Sequence, residues 1–410
     1  MHTAITTEVL GEHPALLDIA IPEIDDPTFT SWVRGGDGLV GFGIYKSHIV
    51  KGANRFAQAR SWWREQVSAL EIHNNVHGTG TGPILFTSFA FDPSEESVLV
   101  IPRVVIGQRN GKSWITWIGA TPQPALREAR FENEPLSLQW SGSNGDVWQD
   151  RVARAVSKIK SEQLEKVVLA RFITATSDKT INVRNLLKSL AAEYPLTWVY
   201  ANTGLVGATP ELLVRLSKSL VTSRILAGTI RKTGDDERDL ALAGSLARSS
   251  KDLEEHEYAV RSVADALTPL CSSMNVPESP FVLHLSNVMH LATDVTGVLA
   301  DSYNPVDIFE LVSRLHPSAA VCGTPTETAQ RTIDEIEGIS RGRYAGPIGW
   351  VDANGDGELG IALRCGQLAA DAKSIRIYAG CGIVAGSDPE REYAESQAKL
   401  LPMRSALEKH

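Results

Sequence analysis

The chain has 410 residues, 43% apolar and 22% charged, a balance that can bury a large core and excludes a disordered or fibrous protein. Its 40 Lys and Arg against 49 Asp and Glu give a formal net charge of −9, which excludes a general nucleic-acid surface, because such a surface needs clustered cations to neutralise phosphates. A small anionic ligand stays compatible if a few cations, backbone N–H groups or a bound metal make a local exception.

The N-terminus, Met1-His2-Thr3-Ala4, lacks a basic segment followed by an apolar one, and no apolar run reaches the roughly 18–20 residues of a membrane span, so a cytoplasmic protein is expected. Helical periodicity first appears over Ala53–Ala69, followed by β-branched runs at Ser97–Ile106 and Ser113–Ile118. The polar stretch Trp140-Ser141-Gly142-Ser143-Asn144-Gly145-Asp146 is the best candidate boundary, between an N-terminal portion, 1–145, and the remainder, 146–410. Beyond it come a helix at Val147–Glu162, a strand at Lys166–Ala175, a helix at Val183–Tyr194, strands at Thr197–Ala201 and Leu212–Leu216, and one long helical pattern, Asp235–Leu267. Helices at Pro305–Leu315 and Thr326–Arg341 precede strands at Gly346–Val351, Gly360–Gly366 and Ser374–Ala379, and a helix at Pro389–Glu408 closes the chain. Strands clustered in hairpins, without βαβ alternation or internal repeats, predict an α+β fold; length alone allows two or three domains.

The closing helix is the most informative segment. Ser387 or Asp388 can cap it, Pro389 suits its first position, and spacings of three and four bring Glu392, Glu395 and Lys399 onto one face. Two hard oxygen ligands beside an ammonium suggest a site for Mg²⁺ or Ca²⁺ and an anion. A solvated helix with a Glu-to-Lys pair four residues apart accounts for the same pattern.

Three other segments carry ambiguous signals. Asp352-Ala353-Asn354-Gly355-Asp356-Gly357 copies the first half of a calcium loop, but Leu363 stands where the bidentate Glu belongs, so a β-hairpin turn is expected. Gly380-Cys381-Gly382-Ile383-Val384-Ala385-Gly386 is similar to a dinucleotide loop with its last spacing one residue too long; its glycines can still offer N–H groups to an anion. In Lys251-Asp252-Leu253-Glu254-Glu255-His256, a helical wheel puts His256 on the apolar stripe as a core histidine and leaves Glu255 on the opposite, solvated face. Cys271, Cys322, Cys365 and Cys381 lack CxxC spacing and read as reduced, mostly structural thiols.

Eight motifs occur in the order of one family: Lys166-Val167-Val168-Leu169-Ala170-Arg171, Gly207-Ala208-Thr209-Pro210-Glu211-Leu212-Leu213, Leu226-Ala227-Gly228-Thr229, Lys251-Asp252 through Glu255-His256, Leu315-His316-Pro317-Ser318 through Cys322-Gly323-Thr324-Pro325, Arg343-Tyr344-Ala345-Gly346-Pro347-Ile348-Gly349-Trp350, Ala362-Leu363-Arg364-Cys365, and Glu392/Glu395/Lys399. The chain resembles the chorismate-utilising enzymes, and among them the isochorismate synthases. The likeness reaches the N-terminal third through Gly38–Gly43, Phe86–Pro93 and Ile101–Arg103, covering nearly the whole chain. It implies one integrated domain, 1–410, in which large antiparallel sheets enclosed by helices surround a deep site, with the Trp140 stretch a surface loop.

The resemblance also implies residue roles. Turning chorismate into isochorismate adds water at C2 of the ring while the C4 hydroxyl departs, so a base and an acid are needed. Lys166 matches the base, which demands a neutral amine, and Glu211 the acid, which demands a protonated carboxyl. Glu255 and Glu395 match direct Mg²⁺ ligands, with Glu392 binding directly or through water, and the ion would hold the ring carboxylate. Lys399, Gly228 and Thr229 match that end of the ligand. Arg364 and Tyr344 match positions for the enolpyruvyl carboxylate, with Gly380 and Gly382 offering N–H groups there, and His290 matches a family histidine near the ring.

Ammonia-using relatives typically lack the base Lys, and one group carries a nucleophilic Lys where this chain has Ala227, so Lys166 with Ala227 implies water as nucleophile and no amidotransferase subunit. Salicylate synthases share the Lys and go on to eliminate pyruvate; Ala320-Val321-Cys322-Gly323 favours stopping at isochorismate, whereas Tyr344 in place of Phe keeps salicylate synthase as the alternative. A catalytically silent anion- or calcium-binding protein is a third reading, resting on Asp352–Gly357. The expected enzyme is a monomeric isomerase whose product feeds menaquinone, siderophore or salicylate synthesis, depending on neighbouring enzymes.

Overall fold

A computed structural model describes residues 3–119, 122–129, 135–142, 145–161, 164–300 and 306–409. Its strands pair antiparallel except for Thr3–Leu10 with Leu70–Asn74, and two ladders diverge from the long strand Ser97–Arg109. One passes through Asp37–Val50, Phe29–Arg34, Trp198–Asn202, Leu205–Thr209, Cys365–Leu368 and Ser374–Ile383 to Lys166–Ser177. The other runs through Ile84–Ser88, Pro347–Asp352, Gly357–Ile361, Leu212–Ser217 and Leu220–Arg231 to Val288–Leu299. The pairs Phe29–Arg34 with Trp198–Asn202 and Ile84–Ser88 with Pro347–Asp352 tie the first hundred residues to the rest. Trp32 Nε1 also donates to Glu358 Oε2 at 3.0 Å, joining positions 326 residues apart.

Helices cover these ladders: α1 (Arg55–Ser68), α2 (Gly145–Ser161), α3 (Val183–Glu193), α4 (Asp236–Leu246), α5 (Ser250–Leu267), α6 (Ile308–Leu315), α7 (Thr326–Ile336) and α8 (Pro389–Glu408). The α+β expectation holds, and the final helix has its predicted bounds because Asp388 accepts from the Arg391 N–H at 3.0 Å and Pro389 opens the first turn. A buried core of Trp, Leu, Ile and Val runs between the ladders, and a second packs α3 and the end of α8 on the outer face of the first ladder. No helix among the described residues is long and apolar enough to cross a membrane.

Several elements differ from the sequence reading. The pattern Asp235–Leu267 is two helices, because Asp235 caps α4 and Ser249 caps α5 by accepting from the Asp252 N–H, breaking the run between them. The helix from Thr326 stops at Ile336 and not Arg341, as Gly338 takes a left-handed φ of 58°. The strand expected over Gly360–Gly366 is cut in two by Arg364, at φ 48°. Trp140–Gly142 belong to a strand and Gly145 starts α2, so the supposed loop is mostly regular structure; Ser143 and Asn144 lie outside the described residues, as do Glu162 and Pro305, ends of two expected helices.

Candidate active site

The ends of the two ladders, with α5 and α8, line one cavity. Lys166 opens the last strand of the first ladder, fully buried, with Nζ 3.4 Å from both the main-chain O and Oε1 of Glu255. The adjacent strand is in register so that Gly382 faces Val168, one pair beyond. A Cβ at Gly382 would stand 2.1 Å from Glu255 Oε1 and 3.1 Å from Lys166 Cε, so only glycine leaves room for that carboxylate and amine to meet.

Glu211 comes from the second ladder. It sits in the short link between Leu205–Thr209 and Leu212–Ser217, where its N–H donates to Thr209 Oγ1 at 3.2 Å and its carbonyl accepts from the Ile361 N–H at 3.3 Å. Burial pushes its carboxyl up to about 8, outweighing the opposing pull of Lys166, Arg364 and Lys399. At neutral pH it carries its proton.

The cavity's cationic end is equally ordered. Arg364 is buried, with Nη2 3.1 Å from His290 Nε2; His290 Nδ1 lies 3.1 Å from Thr229 Oγ1. Burial, then the charges of Arg364 and Lys399, hold His290 well below the usual histidine range, so it is neutral. Gly228, at φ +75°, forms a bulge in the pairing with Val288–Leu299 beside Thr229. Tyr344 stacks on Tyr378 with ring centroids 5.0 Å apart, its hydroxyl beside Gly380. Lys399 donates to the Gly380 carbonyl at 2.9 Å and to Glu395 at 2.5 Å; burial pulls its pKa down, but the Glu395 carboxylate prevails and raises it.

Three carboxylates gather nearby. Glu255 projects from α5 and Glu392 and Glu395 from α8, with Glu392 fully buried and 2.7 Å from Lys251 Nζ. Burial and the neighbouring Glu395 charge push Glu392 up to about 7. Carboxylate oxygens of Glu392 and Glu395 lie within 4.8 Å of each other, a spacing of hard donors that fits a divalent cation such as Mg²⁺. Glu255 corrects the helical-wheel reading: its side chain is 13% exposed because it packs into the cavity against Lys166 and Gly382, while Glu254 and Glu257 face solvent.

Of the residues singled out from sequence, Glu211, Gly228, Thr229, Glu255 and His290 line the cavity, as do Tyr344, Arg364, Gly380, Gly382 and Lys399. Lys166 reaches it through Glu255, and Glu395 through Lys399, with Glu392 one helical turn before. Sequence reasoning missed Arg341, which also lines it. Its Nε donates to both oxygens of Glu337, Nη1 to the Val321 carbonyl at 2.9 Å and Nη2 to the Val168 carbonyl at 2.7 Å, while Glu337 accepts from the Ala170 N–H. The available signal was Glu337 four residues before Arg341, an ion-pair spacing just ahead of the Tyr344 motif.

The decoys resolve as expected. Asp352–Gly357 makes a hairpin turn in which Asp352 accepts from the Gly80, Asn354 and Asp356 N–H groups, and Asp356 from the Lys218 N–H and the Thr79 hydroxyl, so both carboxylates are occupied within the protein. Gly380–Ile383 continue an antiparallel strand, not a dinucleotide turn. His256 is a core histidine bonded to Thr293 Oγ1 at 2.8 Å.

Residues 23–408 match the family described as chorismate binding enzyme. The isochorismate synthase MenF of Bacillus subtilis is 33% identical over 391 residues, spanning 87% of this chain and 82% of that protein. The isochorismate synthase EntC of Escherichia coli K12 is 31% identical over 354 residues, 85% and 87% of the two chains. The solved menaquinone-specific isochorismate synthase MenF of Escherichia coli shares the fold, with a TM-score of 0.80 at 22% identity over 99% of this chain and 96% of its own. Anthranilate synthase component I of Streptococcus pneumoniae shares it more distantly, with a TM-score of 0.66 at 21% identity over 97% and 94%.

Proposed function

The chain belongs to the family of chorismate binding enzymes, and from that membership we infer that it is an isomerase, an isochorismate synthase converting chorismate into isochorismate. The observation that carries this reading is Glu211, a buried carboxyl kept protonated to about pH 8 in the same cavity as the Arg364 and Lys399 cations. Such a group can protonate a departing hydroxyl, which neither a dianion-binding pocket nor a calcium loop requires.

In this reading the dicarboxylate substrate lies across the cavity. Arg364, held by His290, takes the enolpyruvyl carboxylate together with Tyr344 and the N–H groups of Gly380 and Gly382. Lys399, Gly228 and Thr229 hold the ring-carboxylate end. Lys166, walled from bulk water, removes a proton from the water that attacks C2, and Glu211 delivers its own proton to the C4 oxygen as that hydroxyl leaves as water. Mg²⁺, held by Glu255 and Glu395 with Glu392, would bind the ring carboxylate and withdraw electron density from the conjugated ring.

Lys166 with Ala227 favours water as the nucleophile and an enzyme that needs no amidotransferase subunit, and the family likeness makes a monomer the default. Four free cysteines support a reducing, cytoplasmic setting. The test is product analysis with chorismate and Mg²⁺, with and without ammonium, against an EDTA control. Metal-dependent isochorismate without pyruvate supports the assignment; stoichiometric salicylate and pyruvate would replace it with salicylate synthase, and no turnover would leave only binding.

A further inference from the structure

Cys381 stands between Gly380 and Gly382 on the strand Ser374–Ile383. Side chains alternate along a strand, so the two glycine positions face the cavity and Cys381 faces the other way, toward α8. There its Sγ and one carboxylate oxygen each of Glu392 and Glu395 lie within 4.8 Å of one another, and Sγ is 3.3 Å from the Glu392 carbonyl. The thiol is fully enclosed. A sulfur donor amid carboxylates is spectator to a hard ion and a strong ligand to a soft one.

We propose that this cation site also takes thiophilic divalent ions of the Zn²⁺, Cd²⁺ and Co²⁺ class, with Cys381 Sγ as a ligand beside Glu392 and Glu395, in competition with the hard ion. The identity of that competitor as Mg²⁺ rests on the reaction assigned above. As the metal–sulfur bond forms, the thiol releases its proton to water, and the ion takes over the charge neutralisation that Lys251 and Lys399 supply to the two carboxylates at 2.7 and 2.5 Å. The expected consequence is inhibition, because Glu392 and Glu395 are then committed to the soft ion and not to the hard one.

The test is a Cd²⁺ titration of the metal-free full-length protein, following the ultraviolet sulfur-to-cadmium charge-transfer absorbance. The expected result is a band saturating at one ion per chain and lost in Cys381→Ser. Its half-saturation should rise about tenfold or more in Glu395→Gln, as loss of a ligand predicts, and rise again with excess Mg²⁺. Cys381→Ala serves where the serine variant does not fold, and Mg²⁺ competition is read on the unaltered protein. No band, a band unchanged in the Cys381 variants, or one indifferent to Mg²⁺ overturns the proposal. Mg²⁺-dependent turnover without the band sinks the thiol ligand alone; the band without turnover supports the ligand and sinks the reaction.

Discussion

Arg364 Nη2 and His290 Nε2 face each other at 3.1 Å, and because a guanidinium can only donate, that imidazole nitrogen must be the acceptor. The ring proton therefore sits on Nδ1, which donates to Thr229 Oγ1 at 3.1 Å. One neutral histidine thus orients both the arginine fork and the threonine of the proposed substrate clamp.

Replacing His290 with Phe removes that acceptor and leaves Arg364 free to swing. Loss of a hydrogen bond to a charged group costs about 1.5–3 kcal/mol, so KM for chorismate should rise about 10- to 100-fold while kcat falls less. His290→Gln, whose amide oxygen can still accept, should lie between. Steady-state kinetics of both variants check this, and an unchanged KM in His290→Phe removes the clamp.

Stability should fall in mild acid. Burial holds His290 well below its ordinary pKa, His256 at about 4 and His316 at about 3. The unfolded chain binds these protons near pH 6.5 while the folded one refuses them, so stability present above 6.5 is lost as pH falls from there toward 4 and 3. Thermal unfolding between pH 7.5 and 5 should show Tm dropping, with a shallower slope in His290→Gln.

Glu211 has the opposite sign. Its folded pKa of about 8 exceeds the ordinary carboxyl value of 4.5, so the stability it contributes is complete below 4.5 and disappears as pH rises through 8. Glu211→Gln should therefore gain Tm relative to the parent as pH climbs from 5 to 8. The same change should lower kcat by about 10²- to 10⁴-fold, and the parent's turnover should decline above about pH 8 as the acid is lost. Near-parental kcat in the Gln variant would remove Glu211 from the reaction.

Removing a carboxylate should show in the metal. Glu255→Gln and Glu395→Gln should each raise the Mg²⁺ concentration for half-maximal turnover by at least about tenfold, since even outer-sphere partners are worth that much. Gly382→Ala should do the same through sterics, because the new Cβ would displace the Glu255 carboxylate. Isothermal titration with Mg²⁺ on correctly folded variants distinguishes this from a general loss of structure.

The Glu337–Arg341 pair is expected to be structural. It bonds the Val168 and Val321 carbonyls and the Ala170 N–H, stitching the strand that carries Lys166 to the segment alongside. Arg341→Ala should cost about 3–5 kcal/mol by leaving Glu337 buried and uncompensated. Adding Glu337→Gln should recover part of that in chemical denaturation.

Much of the candidate site was legible because its residues sit in short contiguous motifs whose chemistry is local: Arg343-Tyr344, Ala362-Leu363-Arg364, and three charges at helical spacing on α8. Periodicity failed at Glu255 for a specific reason. A helical wheel equates any position off the apolar stripe with solvent, and Glu255 sits off the stripe of α5 yet meets a polar cavity. It failed again between α4 and α5, where α4 ends at Leu246 and Ser249 caps a new helix three residues later. The strand bearing His290 was not foreseen as an element, although it completes the second ladder, because strand identity depends on partners distant in sequence. Arg341 escaped because the Glu337 spacing announces an ion pair but not the Val168 and Val321 carbonyls that the same arginine reaches in the interior.

The hydrogen bond from Trp32 to Glu358 and the pairing of Ile84–Ser88 with Pro347–Asp352 bear on how the protein is made. During synthesis the early strands leave the ribosome with their edges open and must wait for partners translated hundreds of residues later. An open apolar edge is a template for other chains, so the nascent protein depends on shielding for most of its translation. Messages or variants that stall before Pro347 should accumulate as aggregates, not as a smaller working enzyme, even though every carboxylate and cation of the second ladder up to His290 has already been made.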